Sequence, residues 1–128
     1  MESLNRYAPV FLSILRIVAA VIFFEHGTSK LFGWPAATPT PPMFSLYWFA
    51  ACIEIVGGIL LFLGVCSRPV ALIMSGEMAF AYFLSHHSKN LYPIINGGDA
   101  AILFCFVFLY IFFAGGGSIS LESMWKKR

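Results

Sequence analysis

The chain has 128 residues, of which 59% are apolar and only 11% charged, with a formal net charge of +2. Soluble domains carry about 45–50% apolar and about 25% charged residues, and a small one needs a large share of polar residues to cover its surface. The composition therefore excludes a water-soluble globule, the small net charge gives no footprint for a nucleic-acid partner, and the medium this chain fits is a lipid bilayer.

Four apolar runs use up almost the whole length, as four membrane spans of about 20 residues each would. The first predicts a helix over residues 8–31, stopped by Gly33-Trp34-Pro35 and the proline-rich Thr38-Pro39-Thr40-Pro41-Pro42. It is read as a retained span rather than a secretory signal. It contains Arg16, meets Glu25-His26 without a small-x-small cleavage site, and is followed by three more runs. The second predicted helix covers residues 44–65, ending near Gly64. Ser67-Arg68-Pro69 forms a tight turn, with Pro69 suited to open a third helix over 69–85. His86-His87-Ser88-Lys89-Asn90 reads as a polar loop, and a fourth helix is expected over 92–114, closed by Gly115-Gly116-Gly117-Ser118. A membrane β-barrel would instead alternate polar and apolar residues over ten-residue segments. These runs are apolar on all sides, so the expected fold is all-α: an integral membrane four-helix transmembrane bundle, forming one domain over residues 1–128.

Four spans place both termini and the second loop on one side, with Arg6, Arg68, Lys126, Lys127 and Arg128. Lys30 and Lys89 fall on the other side. The excess of positive charge marks the cytoplasmic face, with Arg16 able to snorkel toward it. Trp34, Tyr47, Trp48 and Tyr92 then make an outer aromatic belt, and Trp125 sits at the inner surface.

Every span carries an ionisable residue: Arg16, Glu54, Glu77 and Asp99, with Glu25 and His26 near the outer end of the first. A charge at the bilayer centre costs about 2.5–3.5 kcal/mol on insertion scales, so these groups must face each other or a watery cavity. Glu54 and Glu77 lie about nine or ten residues into their helices, near mid-depth at 1.5 Å per residue. The reading is two polar layers: Arg16, Glu54 and Glu77 at mid-depth, and His26, Asn96 and Asp99 above, with His86 and His87 nearby. Arg16, Phe23, Gly27 and Lys30 share a narrow stripe of the first helix, and Asn96, Asp99, Leu103, Phe106 and Tyr110 share one face of the fourth. Arg16 paired with Glu54 or Glu77 is one expectation, fixing which helices are neighbours. Carboxylates that handle protons or polarise a ligand are the other. Gly57-Gly58 and Gly97-Gly98 with Ala101 read as sites of close helix approach. Cys52, Cys66 and Cys105 make no C-x-x-C, no His spacing resembles a metal motif, and no metal is expected.

These segments together resemble the DoxX family of small bacterial inner-membrane proteins over almost the whole chain. The resemblance rests on Arg16 with His26-Gly27-Thr28-Ser29-Lys30-Leu31-Phe32-Gly33, on Glu54-Ile55-Val56-Gly57-Gly58, and on Leu63-Gly64-Val65-Cys66-Ser67-Arg68-Pro69. It continues through Gly76-Glu77-Met78-Ala79-Phe80-Ala81-Tyr82-Phe83 and His86, then Asn96-Gly97-Gly98-Asp99 and Gly115-Gly116-Gly117-Ser118-Ile119-Ser120-Leu121-Glu122. Asp99 and Glu122 stand where the family pattern has Glu and Asp. The resemblance implies a four-helix inner-membrane protein. Family members are linked to sulfur-compound oxidation with quinone as acceptor, to quinone detoxification, or to thiol and oxidative-stress complexes.

The function expected is a redox-associated component that binds a quinone-like lipophilic molecule between its helices. Its 14 Phe residues could supply the apolar walls. Glu54, Glu77 and His26 are the candidate catalytic, proton-handling groups, and Arg16, Asn96, Asp99 and His86 are the candidate substrate-binding groups. No flavin, haem or Fe–S motif is present, so a quinone is the one cofactor expected, and electrons would come from a membrane or cytoplasmic redox partner or pass between bound substrates. A homo-oligomer is a further expectation. The rival readings are a non-catalytic anchor or assembly subunit and a small oligomeric transporter or proton relay.

The charge asymmetry yields a topology test. A reporter fused after Arg128 is expected in the cytoplasm, and a Thr38→Cys thiol is expected to react with a membrane-impermeant maleimide on intact cells. Labelling that requires permeabilisation would reverse the assignment.

Overall fold

The computed structural model describes residues 2–126. Lys127 and Arg128, which contribute to the charge asymmetry, lie outside the described residues. All regular structure among the described residues is helical: α1 (Glu2–Asn5), α2 (Ala8–Phe32), α3 (Leu46–Leu63), α4 (Ser67–Ala81), α5 (Pro93–Asn96), α6 (Asp99–Ala114) and α7 (Leu121–Trp125). α4 runs on into a wider π-helical turn, Tyr82–His87.

Local chemistry sets the boundaries. Pro9 lies in the first turn of α2, and Gly33, at φ 65°, ends it in the left-handed conformation. The Ser45 hydroxyl accepts the Trp48 N–H to cap α3, and Gly64, at φ 70°, closes it. The expected fourth helix over 92–114 is two helices, not one. Gly97 adopts φ 72° and bonds back to the Pro93 carbonyl, and Asn96 Oδ1 accepts the Gly98 N–H at 2.7 Å, so the chain turns between α5 and α6. The third helix begins at Ser67, two residues earlier than expected, and carries His86 and His87 on its π-helical extension instead of in a polar loop.

α2 and α3 are each long and apolar enough to cross a membrane, and α6 is a shorter apolar helix. Their outward faces are greasy: Phe11, Ile14 and Val18 on α2, Val56 and Ile59 on α3, and Leu103, Phe106 and Tyr110 on α6. The interior holds Ser13, Arg16, Glu54, Ser67, Ser75 and Asn96 beside Phe23, Met74 and Phe108. Apolar outside and polar within is the arrangement a lipid solvent selects. The face that carries Leu103, Phe106 and Tyr110 is therefore an outer face, and Asp99 is exposed as well.

α2 packs chiefly on α3, and α4 on α6. Small residues let the first pair approach closely. A Cβ on Gly27 would stand 2.8 Å from the Ala51 carbonyl oxygen, and one on Gly58 would stand 3.1 Å from that of Ala20. Ala20/Gly27 and Ala51/Gly58 each repeat after seven residues, placing two small contacts on one seam. Gly57 serves the α3–α4 side, where a Cβ would meet Met74 Sδ at 2.8 Å. Phe23 joins the two pairs through edge-on contact with Phe108, ring centres 4.9 Å apart. Ser75 Oγ donates to the Cys105 carbonyl across α4 and α6 at 2.8 Å.

Arg16 corrects the expected ion pair. Its guanidinium, 1% exposed, is held by backbone carbonyls: Nε donates to Gly116 O at 2.8 Å, Nη1 to Leu61 O and to Phe62 O, and Nη2 to Ile119 O. Leu61 and Phe62 are in the last turn of α3, where unpaired carbonyls and the negative end of the helix dipole attract a cation. Glu54 is about two turns back along α3, roughly 10 Å at 1.5 Å per residue, so Arg16 and the glutamates form separate layers. Arg68 repeats the device on α6, donating to Phe112 O at 3.2 Å and Phe113 O at 2.9 Å.

Arg16→Leu orphans several buried carbonyls at about 1–3 kcal/mol each and is expected to lower stability in detergent by roughly 3 kcal/mol or more, read as a thermal or denaturant midpoint. Adding Glu54→Gln should restore none of it; recovery in the double variant would return Arg16 to the carboxylate.

Candidate functional site

A cavity of about 420 Å³ lies between α2, α3, α4 with its π-turn, and α6, in the half of the bundle away from Arg16. Glu54, Glu77, His26 and Lys30 line it beside the rings of Phe23 and Phe104. Glu54 sits on the face of α3 turned to α2, where Gly27 leaves the backbone room to approach, and its side chain is 2% exposed. Lys30, in the last turn of α2, reaches it with Nζ at 2.5 Å from Oε1. Glu54 Oε2 and both carboxylate oxygens of Glu77 are buried with no hydrogen-bonding partner. Buried acceptors of this kind are rarely left unmatched in native proteins, so these three oxygens make this wall the part of the cavity with unmet hydrogen-bonding capacity.

His26 Nδ1–H donates to the Ile22 carbonyl at 2.8 Å, and its ring stands edge-on to Phe104 at 6.5 Å. His86 Nδ1 lies 3.0 Å from the Asn96 carbonyl. The π-helical turn widens the end of α4 so that Leu84, Ser85 and His86 all reach the cavity, a use of π-turns common at functional sites. The Tyr47 and Ser85 hydroxyls are 3.3 Å apart. Leu46, Tyr47, Phe80 and Leu84 are exposed as well as lining the cavity, so its mouth is apolar and opens through the bundle's lipid-facing side.

The structure thus gathers Glu54, Glu77, His26 and His86 around one space. Arg16, Asn96 and Asp99 lie outside it. Asn96 is 5% exposed and holds the connection between α4 and α6, donating through Nδ2 to Asn90 O at 2.9 Å and to the Tyr82 hydroxyl at 3.3 Å. Asp99 occupies the first turn of α6, where a negative charge suits the helix dipole. His26 and Asp99 therefore do not meet as a pair. Lys30, counted by sequence as a charge outside the membrane, is the glutamates' cation. Its place on the Arg16–Phe23–Gly27 stripe was the signal for it. Among the described residues, no three His, Cys, Asp or Glu side chains converge as a metal ion requires.

The family model for DoxX matches residues 11–87, which hold most of α2 and all of α3, α4 and the π-turn, and with them Glu54, Glu77, His26 and His86. The chain belongs to the DoxX family. This is a family of small bacterial inner-membrane proteins, and membership together with two helices apt to cross a bilayer supports an inner-membrane location. An uncharacterized protein of Haemophilus influenzae is 41% identical over an alignment of 137 positions that takes in all of both chains. A Bacillus subtilis protein named "Putative oxidoreductase CatD" is 32% identical over 77 residues, 56% of this chain and 57% of that one. No solved structure gives a significant match.

The Lys30–Glu54 contact generates a test. Lys30→Met leaves Glu54 buried and unpaired, and is expected to cost roughly 2–3 kcal/mol, somewhat below the roughly 3–5 kcal/mol of a fully buried pair, because Lys30 is 31% exposed. Lys30→Met/Glu54→Gln should regain most of that stability. A double variant no more stable than Lys30→Met means the pair does not hold α2 to α3 here.

Proposed function

We propose that this DoxX-family protein crosses the inner membrane four times, as a single domain with both termini in the cytoplasm, and binds a lipophilic quinone-like molecule in the cavity between its helices. The shorter helices fit this reading: α4 and its π-turn form one continuous helical run, and α6 starts beneath the α5 turn. The observation that carries the ligand proposal is the set of three buried, unpartnered carboxylate oxygens on Glu54 and Glu77, which face a space of ligand size. Apolar walls with a few convergent polar groups are the usual form of a small-molecule site. The exposed apolar mouth suits a ligand that arrives dissolved in lipid.

In this reading Phe23 and Phe104 hold a ring, while Glu54, Glu77 and His26 exchange protons with its oxygens. His86 completes the binding wall. Arg16 and Asn96 support the site by fixing the helices that frame it, and Asp99 by steadying the start of α6. Electrons are supplied by a membrane or cytoplasmic redox partner or pass between bound substrates, and copies of the chain associate in the bilayer. The name "Putative oxidoreductase CatD" carried by the Bacillus subtilis relative, matched over 77 residues, is in keeping with a redox setting. The anchor reading draws on the same buried polar groups as devices for helix pairing alone.

Growth under quinone stress separates the two, in a strain lacking the native gene and complemented with variants of equal abundance. Glu77→Gln and Glu54→Gln are expected to lose most protection, and His26→Ala is expected to slow proton exchange more than binding. Full protection by Glu54→Gln/Glu77→Gln would leave the anchor reading in possession.

A further inference from the structure

The cavity's hydrogen-bonding inventory is lopsided. Its unpartnered buried polar atoms, Glu54 Oε2 and both oxygens of Glu77, are acceptors. Both histidines on the wall add to the excess. A ring nitrogen that faces a carbonyl must carry the proton, and Nδ1 faces a backbone carbonyl in His26 (Ile22) and in His86 (Asn96). In the neutral ring that leaves Nε2 as a bare acceptor. The donors are fewer and lie at the exposed side: Lys30, 31% exposed, spends one of its three N–H groups on Glu54 Oε1 at 2.5 Å, and of the Tyr47 and Ser85 hydroxyls one donates to the other. A proton on one carboxyl turns one of the three unpartnered buried oxygens into a donor and leaves the other two as acceptors.

From this imbalance we infer that the site selects a ligand by its hydrogen-bond donors, and so binds the reduced, hydroxyl-bearing member of a quinone-type couple in preference to the oxidised one. The inference rests on the quinone-type reading and adds redox-state selectivity to it. A hydroquinone brings O–H groups to Glu77 and Glu54 and satisfies buried oxygens that otherwise remain unmatched. A quinone brings only carbonyl acceptors and sets them against carboxylate oxygens. A site with unmet buried hydrogen-bonding groups rejects a ligand that lacks the complementary group far more strongly than it rejects a small change of apolar size.

The test uses the full chain purified in detergent under anaerobic conditions, with three ligands of nearly equal shape: decyl-1,4-benzohydroquinone, decyl-1,4-benzoquinone, and the 1,4-dimethoxy ether of the hydroquinone. Affinities are read by native mass spectrometry titration. The hydroquinone is expected to bind at least tenfold more tightly than the quinone, and the dimethoxy ether, which keeps the ring and loses the donors, should bind no better than the quinone. Glu77→Gln exchanges an acceptor for an amide donor, and is expected to narrow or reverse the preference, raising quinone affinity as hydroquinone affinity falls. The wild-type comparison stands alone if that variant does not fold. Quinone or dimethoxy ether binding as tightly as the hydroquinone overturns the selectivity and leaves the quinone-type reading standing. No binding of any of the three overturns that reading and the inference with it.

Discussion

The fold is organised by one buried cation. Arg16 has no carboxylate within its hydrogen bonds; its guanidinium is divided among carbonyls of the α3 terminus and of the glycine-rich segment after α6. A planar group with several fixed donors suits this task. In a bilayer the ends of a helix leave carbonyls that lipid cannot satisfy. By taking those of Leu61 and Phe62, Arg16 lets α3 end inside protein, and by taking those of Gly116 and Ile119 it brings the chain after α6 back beneath α2. The tail is then sewn in place. The Ser118 N–H donates to Pro9 O at 3.1 Å, the Ile119 N–H to Ser13 Oγ at 2.9 Å, the Glu122 N–H to Gly64 O at 3.2 Å, and Glu122 Oε1 accepts the Ser67 N–H at 3.1 Å at the start of α4.

This end of the bundle is consequently closed, with Ser67 Oγ left as a buried polar atom without a partner among the described residues. A Cβ on Gly116 would stand 2.7 Å from the Ser67 hydroxyl, which fixes how closely the tail must lie. The opposite end has the contrary character. Lys30 and Glu54 tie α2 to α3, Asn96 ties the α5 turn to α4, and between those ties the helices enclose space with carboxylate oxygens left unmatched. One half holds the helices together and the other half encloses a cavity.

The sequence carried the class of the fold plainly, because a 59% apolar chain with charges confined to single sites in each run has few alternatives. It also isolated four of the cavity residues, since Glu54, Glu77, His26 and His86 are groups that lipid penalises. Partner choice was less legible. Arg16 and a glutamate form an obvious pair by charge, but carbonyl ligands leave no signature in a sequence, and backbone at a helix end outcompeted a carboxylate two turns away. Lys30 was missed because position near a span end implies water, whereas a long side chain on the inward stripe can reach back. The break at Gly97-Gly98 was read as packing. Gly98 does lie against the Tyr82 ring, where a Cβ would stand 2.6 Å from it, but Gly97 also turns the chain through a positive φ. Asp99, placed in the polar layer by its charge, is directed outward by that turn.

The wide turn at Tyr82–His87 gives this protein an unusual way to vary. In an ordinary helix each added or removed residue rotates all that follows by about 100°, and inside a packed span that is ruinous. A π-turn already contains one surplus residue, and it lies at the end of α4, beyond the contacts of Ala71, Met74 and Met78 with the core. Removing a residue there would close the turn and swing Ser85 and His86 away from the cavity without disturbing the packed part of the helix. The polar wall of the site is therefore adjustable by length as well as by substitution, and two chains of this architecture that differ by a single residue in this segment would line the same cavity with different chemistry.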